Sequence, residues 1–306
     1  MVASSGKTLP FPQMFASSAI AACTAEALTL PLDTAKVRLQ LQSGSTKYKG
    51  LLGTVLTIAR EEGPSSLWKG LEPGLHRQCL FGGLRIGLYE PVRNVYVGKD
   101  FKGDPPLHLK IAAGLTTGAL GITVASPTDL VKVRMQSEGK LPAGTPRKYP
   151  SALAAYSIIA REEGLIGLWK GLGPNIARNA IINAAELASY DQIKQSLLGM
   201  GLSDNVGTHL LSGNIVPNAH PPPGLGAGFF AVCIGSPVDV VKSRVMGDRT
   251  GRFSGVLDCF VKTARNDGML AFYKGFVPNF GRLGSWNVAM FLTLEQVKKL
   301  FTPKDE

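Results

Sequence analysis

Long apolar segments and short polar segments alternate along the chain of 306 residues. Six segments are predominantly apolar over about 20 residues or more, the length of a helix that crosses a bilayer. They comprise residues 15–39, 71–97, 107–135, 175–198, 206–245 and 279–300. Three shorter segments have apolar residues near i, i+3 and i+4, the spacing of an amphipathic helix. These are residues 51–60, 151–161 and 256–265. The pattern predicts an all-helical chain.

Charged residues within the apolar segments indicate what kind of helical protein this is. Every one of the six segments carries at least one charged residue, which an isolated helix exposed to lipid would not tolerate. Six transmembrane helices around a polar interior accommodate both the length and the charges. We therefore predict an all-α membrane protein, and the alternative is a large soluble protein of helical repeats.

Four blocks of residues recur in fixed order at a period of about 100 residues. The first block, Pro-x-Asp-x-x-Lys-x-Arg, begins at Pro31, Pro127 and Pro237. An acid-Gly pair and an aromatic-Lys-Gly triplet follow; an arginine comes 9 residues after the aromatic, and a further acid 13 residues after that arginine. The order predicts three pseudo-symmetric repeats with one amphipathic helix each. The repeats are residues 11–102, 105–199 and 204–302.

The third repeat is longer than the other two. The interval from Pro31 to Pro127 is 96 residues, and the interval from Pro127 to Pro237 is 110. Residues 214–224 look inserted, and their four prolines cannot continue a helix. We predict that the fifth long helix is broken there and intact after Gly224. The additional length has two alternative explanations. One is an error in the gene model or in splicing, and the other is a real insertion that alters folding or transport.

The net charge is strongly positive, and most of the basic residues lie in the three connections on one side of the predicted helix bundle. The chain has 33 Lys and Arg against 22 Asp and Glu, a net charge of +11, which indicates an anionic partner. The connections 36–70, 132–170 and 242–274 hold 20 of the 33 basic residues. With two spans per repeat, all three lie on one side of the membrane and face anionic headgroups. A basic scaffold or a nucleic-acid binder is the alternative, but no nucleic-acid-binding motif is present.

Catalytic and metal-binding patterns are missing from the sequence. The four Cys and four His have no metal-ligand spacing, and no Ser-His-Asp or Cys-His arrangement is legible. Residues 224–228, Gly-Leu-Gly-Ala-Gly, loosely resemble a dinucleotide-binding loop but lack its full spacing and follow no predicted strand. We expect no metal, no cofactor and no enzyme activity.

The threefold pattern of Pro-x-Asp-x-x-Lys-x-Arg, acid-Gly and aromatic-Lys-Gly resembles the signature of the mitochondrial carrier family. Within that family, residues 75–78, 84–90, 178–186 and 282–287 are similar to the uncoupling proteins, the plant type most closely. The resemblance implies a multi-pass, monomeric protein of the mitochondrial inner membrane that works by alternating access. It also implies amphipathic helices on the matrix side and cardiolipin as a structural lipid.

The resemblance assigns the repeated charges to two gates. The matrix gate is a ring of cyclic ion pairs, Asp33–Lys132, Asp129–Lys242 and Asp239–Lys36. Gln40 and Gln136 are expected to brace this ring, whereas Met246 replaces the third glutamine, so the gate should lack one hydrogen bond. The cytoplasmic gate pairs Glu90–Lys194, Asp191–Lys298 and Glu295–Arg93, with Leu294 in place of one bracing aromatic. Ordinary salt bridges at helix ends are the alternative for both sets.

Three arginines, Arg77, Arg178 and Arg282, lie 13 residues from the outer acids, roughly 20 Å along a helix. At that depth they are sensible only around a water-filled cavity that takes anions, because guanidinium groups bind carboxylate or phosphate. Pairing with an acid or with the backbone is the alternative. The resemblance implies that purine nucleotides inhibit at this triplet.

Three charges break the threefold symmetry. Glu26 is matched by Ile122 and Val232, whereas Arg85, Glu186 and Met290 stand at one equivalent position with three different charges. A buried carboxylate can carry a proton, so we hypothesise that Glu26 and Glu186 serve proton or fatty-acid-linked movement. A static pair between Arg85 and an acid is the alternative. Asn183 and Trp286, in the segments that resemble uncoupling proteins, complete the candidate binding residues.

The combined expectation is a carrier that dissipates the respiratory gradient by proton leak, activated by fatty acids and inhibited by purine nucleotides. The alternative is an exchanger of dicarboxylates or amino-acid anions, such as aspartate, glutamate, malate or oxaloacetate, with phosphate or sulfate. The same arginine triplet would bind these anions.

Overall fold

The computed structural model describes residues 11–42, 47–98, 107–139, 145–182, 225–248 and 251–301. Within these ranges the chain forms nine α-helices and no strand, which confirms the all-helical prediction. The helices are α1 (Phe11–Leu41), α2 (Gly50–Glu62), α3 (Leu71–Val97), α4 (Leu107–Ser137), α5 (Ala152–Glu163), α6 (described for 172–182), α7 (Leu225–Gly247), α8 (Val256–Asp267) and α9 (Phe276–Phe301).

The same order of elements occurs three times. In each repeat a long helix is followed by a short amphipathic helix, a single 3₁₀ turn and a further helix, which in the second repeat is described only for residues 172–182. The 3₁₀ turns are Pro64–Trp68, Leu165–Trp169 and Met269–Tyr273. The described ranges thus contain the three pseudo-symmetric units that the sequence pattern predicts.

The described long helices α1, α3, α4, α7 and α9 run for 23 to 31 residues. In the part of the chain that the structure describes, no helix meets both the length and the apolarity that a membrane span needs. Pro31, Pro127 and Pro237 lie inside α1, α4 and α7, and each helix continues past its proline. Helix α7 begins at Leu225, as predicted for the segment after Gly224; the predicted break at residues 214–224 lies outside the described residues.

The first and third repeats pack side by side to close the bundle. Helix α1 lies along α9, and helix α3 lies along α4. The three helices that begin the repeats, α1, α4 and α7, also contact one another. Because their prolines and repeated charges lie near their C-terminal ends, this contact brings the three copies of the first sequence block together.

Among the described residues, the largest buried apolar cluster lies where α1, α4 and α7 meet helix α5. Val37, Leu130, Val131 and Met246 contribute from the three long helices, and residues of α5 complete the cluster. A second cluster joins the end of α7 to α8 and to the 3₁₀ turn that follows α8, through Val241, Val245, Cys259 and Phe272. Apolar packing therefore surrounds the repeated charges and holds the short helices against the ends of the long ones.

The glycine of each aromatic-Lys-Gly triplet has a positive φ and a neighbour that leaves no room for a side chain. The φ values of Gly70, Gly171 and Gly275 are 88°, 89° and 88°. A Cβ added at Gly275 would lie 3.0 Å from Cγ of Gln40, and one added at Gly171 would lie 2.6 Å from Cγ of Met246. Both backbone conformation and space therefore require glycine at these junctions between repeats.

Replacement of Gly275 by Ala should lower the free energy of unfolding by about 1–3 kcal/mol, the cost of a side chain at a left-handed backbone position. The measurement is the thermal unfolding midpoint of the purified protein. Gly53→Ala is the control, since its Cβ would have only Lys49 Cβ nearby, at 3.9 Å, and it lies inside α2. Equal midpoints for the two variants would contradict the prediction.

Candidate functional site

The acids and lysines of the first block form a closed ring between the three repeats. Lys132 Nζ lies 2.5 Å from Asp33 Oδ2, Lys242 Nζ lies 3.2 Å from Asp129 Oδ2, and Lys36 Nζ lies 3.0 Å from Asp239 Oδ2. No more than 14% of any of these six side chains is exposed. The three pairs join the first repeat to the second, the second to the third, and the third to the first, so the ring is closed.

Local helix geometry explains this cyclic arrangement. An acid and a lysine three positions apart lie on one face of a helix, one turn from each other. When α1, α4 and α7 present this face to a common axis, each acid reaches the lysine of a neighbouring helix. The structure thus brings together the three pairs that the sequence analysis assigned to the matrix gate.

The bracing residues differ among the repeats. Gln136 Nε2 donates to Asp33 Oδ2 at 3.3 Å, whereas Gln40 Oε1 accepts a hydrogen bond from Ser243 Oγ at 2.7 Å. Met246 is fully buried in the apolar cluster together with Leu130, which stands where the first repeat has a threonine. Both sides of the junction between the second and third repeats are therefore apolar. Packing there takes the place of the hydrogen bond that a glutamine would make.

The arginine triplet reaches the same ring of acids. Arg77 Nε lies 2.6 Å from Asp129 Oδ1, Arg282 Nε lies 3.2 Å from Asp33 Oδ1, and Arg178 Nε contacts Asp239 Oδ1. The three arginine side chains remain 20–25% exposed. Pairing with an acid, the alternative in the sequence analysis, is the state that the structure shows. Each ring acid is shared between one lysine and one arginine.

Two asparagines that the sequence analysis missed complete two of the acid sites. Asn175 Nδ2 donates to Asp129 Oδ2 at 2.8 Å, and Asn279 Nδ2 donates to Asp239 Oδ2 at 3.0 Å. Each asparagine stands six residues after the aromatic of its repeat, directly after a proline. That repeated Pro-Asn pair was the signal. The equivalent residue in the first repeat is Gly74.

Glu26 joins the ring as a fourth acid. It is 2% exposed; its Oε1 lies 2.5 Å from Lys132 Nζ, and its Oε2 accepts from Gln78 Nε2 at 3.1 Å. Arg282 Nη1 lies 3.9 Å from the same carboxylate. Lys132 is therefore held between two carboxylates, those of Glu26 and Asp33.

Several candidate residues fall outside the description. Asn183, Glu186, Asp191 and Lys194, and the side chains of Arg85 and Lys298, lie outside the described residues. The static Arg85–acid pair and the cytoplasmic pairs Glu90–Lys194 and Asp191–Lys298 thus stay predictions, and so does Glu295–Arg93, which the described contacts do not test. Within the described ranges, Glu90 and Glu295 are exposed on α3 and α9, while Arg93 and Trp286 are half-buried.

The acid–lysine pairs, the arginine triplet and Glu26 together form a charge ring, and three further arginines link this ring to the short helices. The last residue of each first block binds the acid of its own acid-Gly pair: Arg38 with Glu62 at 3.1 Å, Arg134 with Glu163, and Arg244 with Asp267 at 2.5 Å. The Nε of each arginine donates to a backbone carbonyl of another repeat. The acceptors are Gln136 for Arg38, Met246 for Arg134 and Gln40 for Arg244.

Comparison with known proteins agrees with this threefold arrangement. The family model described as mitochondrial carrier protein matches residues 7–100, 103–201 and 222–305. Mitochondrial uncoupling protein 1 of Arabidopsis thaliana is 68% identical over 98% of this chain and 96% of its own length, and mitochondrial uncoupling protein 2 of the same plant is 62% identical over 96% and 95%. The putative mitochondrial transporter UCP3 of Mus musculus is 50% identical over 93% and 91%.

The Glu163–Arg134 pair predicts a pH-dependent contribution to stability. Burial alone would raise the pKa of Glu163 above 4.5, but the hydrogen bonds and charge of Arg134 outweigh burial and lower the pKa. The stabilisation is therefore complete above pH 4.5 and is lost as the pH falls through the lowered pKa. Glu163→Gln should cost about 2 kcal/mol at neutral pH, the value of a hydrogen bond to a charged group.

Thermal unfolding midpoints measured from pH 7 to the acid limit check this prediction. Glu163→Gln should bring the midpoints at neutral and acid pH closer together. Glu162→Gln is the matched control, because Glu162 is 48% exposed and pairs only with the surface residue Lys148 among the described residues. The same loss in both variants would contradict the assignment.

Proposed function

The chain belongs to the mitochondrial carrier family, and we propose that it is an uncoupling carrier, in which fatty acids activate and purine nucleotides inhibit a proton leak. It is a multi-pass protein of the mitochondrial inner membrane. The activity is transport rather than catalysis, and it works by alternating access in a monomer. Cardiolipin is its structural lipid on the matrix side, where the short amphipathic helices lie.

The observation that carries this proposal is the composition of the charge ring. Three lysines and three arginines converge on three aspartates and Glu26, which leaves an excess of two positive charges at one buried site. Such an excess attracts small anions. Relatives that carry the name mitochondrial uncoupling protein share 68% and 62% of their residues with this chain over nearly its whole length.

The ring acts as the matrix gate because it joins all three repeats where their first helices meet. Opening must separate three largely buried ion pairs, which is costly unless other charges compensate. An anion that binds the arginine triplet competes with the ring acids for the guanidinium groups. A purine nucleotide offers several phosphate oxygens to the triplet and so inhibits by holding the arginines in one arrangement.

A carboxylate outside the threefold pattern supplies the link to protons. Glu26 shares Lys132 with Asp33, so protonation of one carboxylate still leaves the lysine a charged partner. Among the described residues, the other two pairs, Asp129–Lys242 and Asp239–Lys36, have no second carboxylate on their lysine. Glu186 acts together with Glu26 in moving protons, with Arg85, Asn183 and Trp286 lining the same path. The cytoplasmic gate of Glu90, Arg93, Asp191, Lys194, Glu295 and Lys298 seals the other end.

A second function uses the same charge excess. An exchanger of dicarboxylates or amino-acid anions with phosphate or sulfate would bind its substrates on the arginine triplet, since bidentate pairing suits carboxylates and phosphates alike. The ring would then open on binding of the anion rather than of a proton.

Reconstitution into liposomes separates the two functions. Vesicles that contain the full chain should show proton flux when a long-chain fatty acid is added, and a purine nucleotide should suppress it. Exchange of labelled aspartate or malate against internal phosphate is measured in parallel. Anion exchange without fatty-acid-activated proton flux would contradict the proposal and favour the exchanger.

Replacement of Arg178 by Gln should raise the nucleotide concentration needed for half inhibition by about tenfold or more, as expected when a binding charge is lost. The reason is that the Arg178 side chain contacts the ring and remains 20% exposed. Arg161→Gln is the control, because Arg161 is exposed on α5, away from the ring. Unchanged inhibition in the Arg178 variant would remove this arginine from the nucleotide site.

A further inference from the structure

One departure of the charge ring from threefold symmetry is a missing asparagine in the first repeat. Asn175 and Asn279 donate to the acids of the second and third repeats, but the first repeat has Gly74 at the equivalent position. A Cβ added at Gly74 would lie 3.2 Å from Oε1 and 3.5 Å from Cγ of Glu26. The Glu26 carboxylate thus occupies the space beside Gly74.

The backbone does not require glycine at position 74. Gly74 lies inside helix α3, and its φ is not positive. Glycine in a helix interior costs about 1 kcal/mol relative to alanine, so helix stability alone would favour another residue. Space is the remaining reason, because the approach of Glu26 leaves no room for a side chain without a shift.

The same helix that makes room for Glu26 also holds it. Gln78, one turn after Gly74 on α3, donates to Oε2 of Glu26, while Oε1, the oxygen beside Gly74, binds Lys132 at 2.5 Å. A side chain at position 74 would therefore press on the oxygen that binds the lysine. Displacement of that oxygen would leave Lys132 with Asp33 as its only carboxylate.

We infer that Gly74 is a positioning residue: the absence of a side chain there lets the Glu26 carboxylate join the charge ring. The proton-sensitive part of the ring is thereby confined to the junction between the first and second repeats. The inference rests on the proposed proton leak. The groups that face Glu26 are Lys132 from α4, Arg282 from α9, Asp33 and the Cys23 thiol from α1, and Gln78 from α3. At the other two junctions, a neutral asparagine amide stands in place of this second carboxylate.

Gly74→Asn, which gives the first repeat the residue of the other two, tests the inference in a double-mutant cycle with Glu26→Gln. The measurement is fatty-acid-activated proton flux in liposomes across a range of pH. Gly74→Asn should lower the flux to that of Glu26→Gln and remove the same pH-dependent part of the profile. Addition of Gly74→Asn to Glu26→Gln should change neither quantity further.

The matched control is Gly87→Asn, because Gly87 lies on the same helix and a Cβ there meets no atom within 4 Å. It should keep the wild-type profile. Should Gly74→Asn fail to fold, Gly74→Ala takes its place, and Glu26→Asp, which shortens the acid by one methylene, should restore the pH profile in that background. A wild-type profile in a folded Gly74 variant, or additive effects of Gly74→Asn and Glu26→Gln, would overturn the inference.

The thermal unfolding midpoints of the same proteins distinguish this failure from failure of the proposed function. If the wild-type chain conducts no protons, the proton-leak proposal fails, and the midpoints alone test the contact. Non-additive midpoints for Gly74→Asn and Glu26→Gln would still show that Gly74 acts through Glu26. Additive midpoints would reject that positioning role whatever the flux.

Discussion

The compensation of buried charge where three helices meet is the constraint on which the rest of this structure depends. An unpartnered charge in such a place costs several kcal/mol, and a buried pair is stable only when its remaining hydrogen-bonding positions are also filled. Asp129 and Asp239 each meet this condition with one lysine, one arginine and one asparagine. The three first helices must keep their register because every partner comes from another element.

The surrounding structure transmits this register to the short helices. Arg38, Arg134 and Arg244 each join an acid at the end of a short helix to a carbonyl of the next repeat. Gly171 and Gly275 let the chain turn directly against the bracing residues. Movement at the ring must therefore also move the short helices. In an alternating-access cycle, the gate and the short helices would be mechanically connected.

Departures from symmetry divide the ring into three unlike junctions. One junction has two carboxylates on one lysine, with Gln136 donating to Asp33. Another has Met246 packed against Leu130, and the third has Gln40 bonded to Ser243. Identical junctions would respond alike to a proton or an anion. Unlike junctions allow one to respond first. In the proposed function, the junction that contains Glu26 accepts a proton with the least loss of pairing, because Lys132 keeps a second carboxylate there.

The sequence by itself determined the repeats and the helices, because apolar segments of helical length and four residue blocks recur three times in fixed order. The acid–lysine partners came from the resemblance to the carrier family, and the structure brings those pairs together. Only the tertiary structure decided that the arginine triplet rests on the ring acids and that Glu26 lies beside Gly74. Spacing along a helix sets the position of a side chain along the helix axis. It does not set the side-chain conformation or which residue of a neighbouring helix the side chain contacts. The asparagine contacts, which span 46 and 40 residues, likewise depend on how separate helices pack.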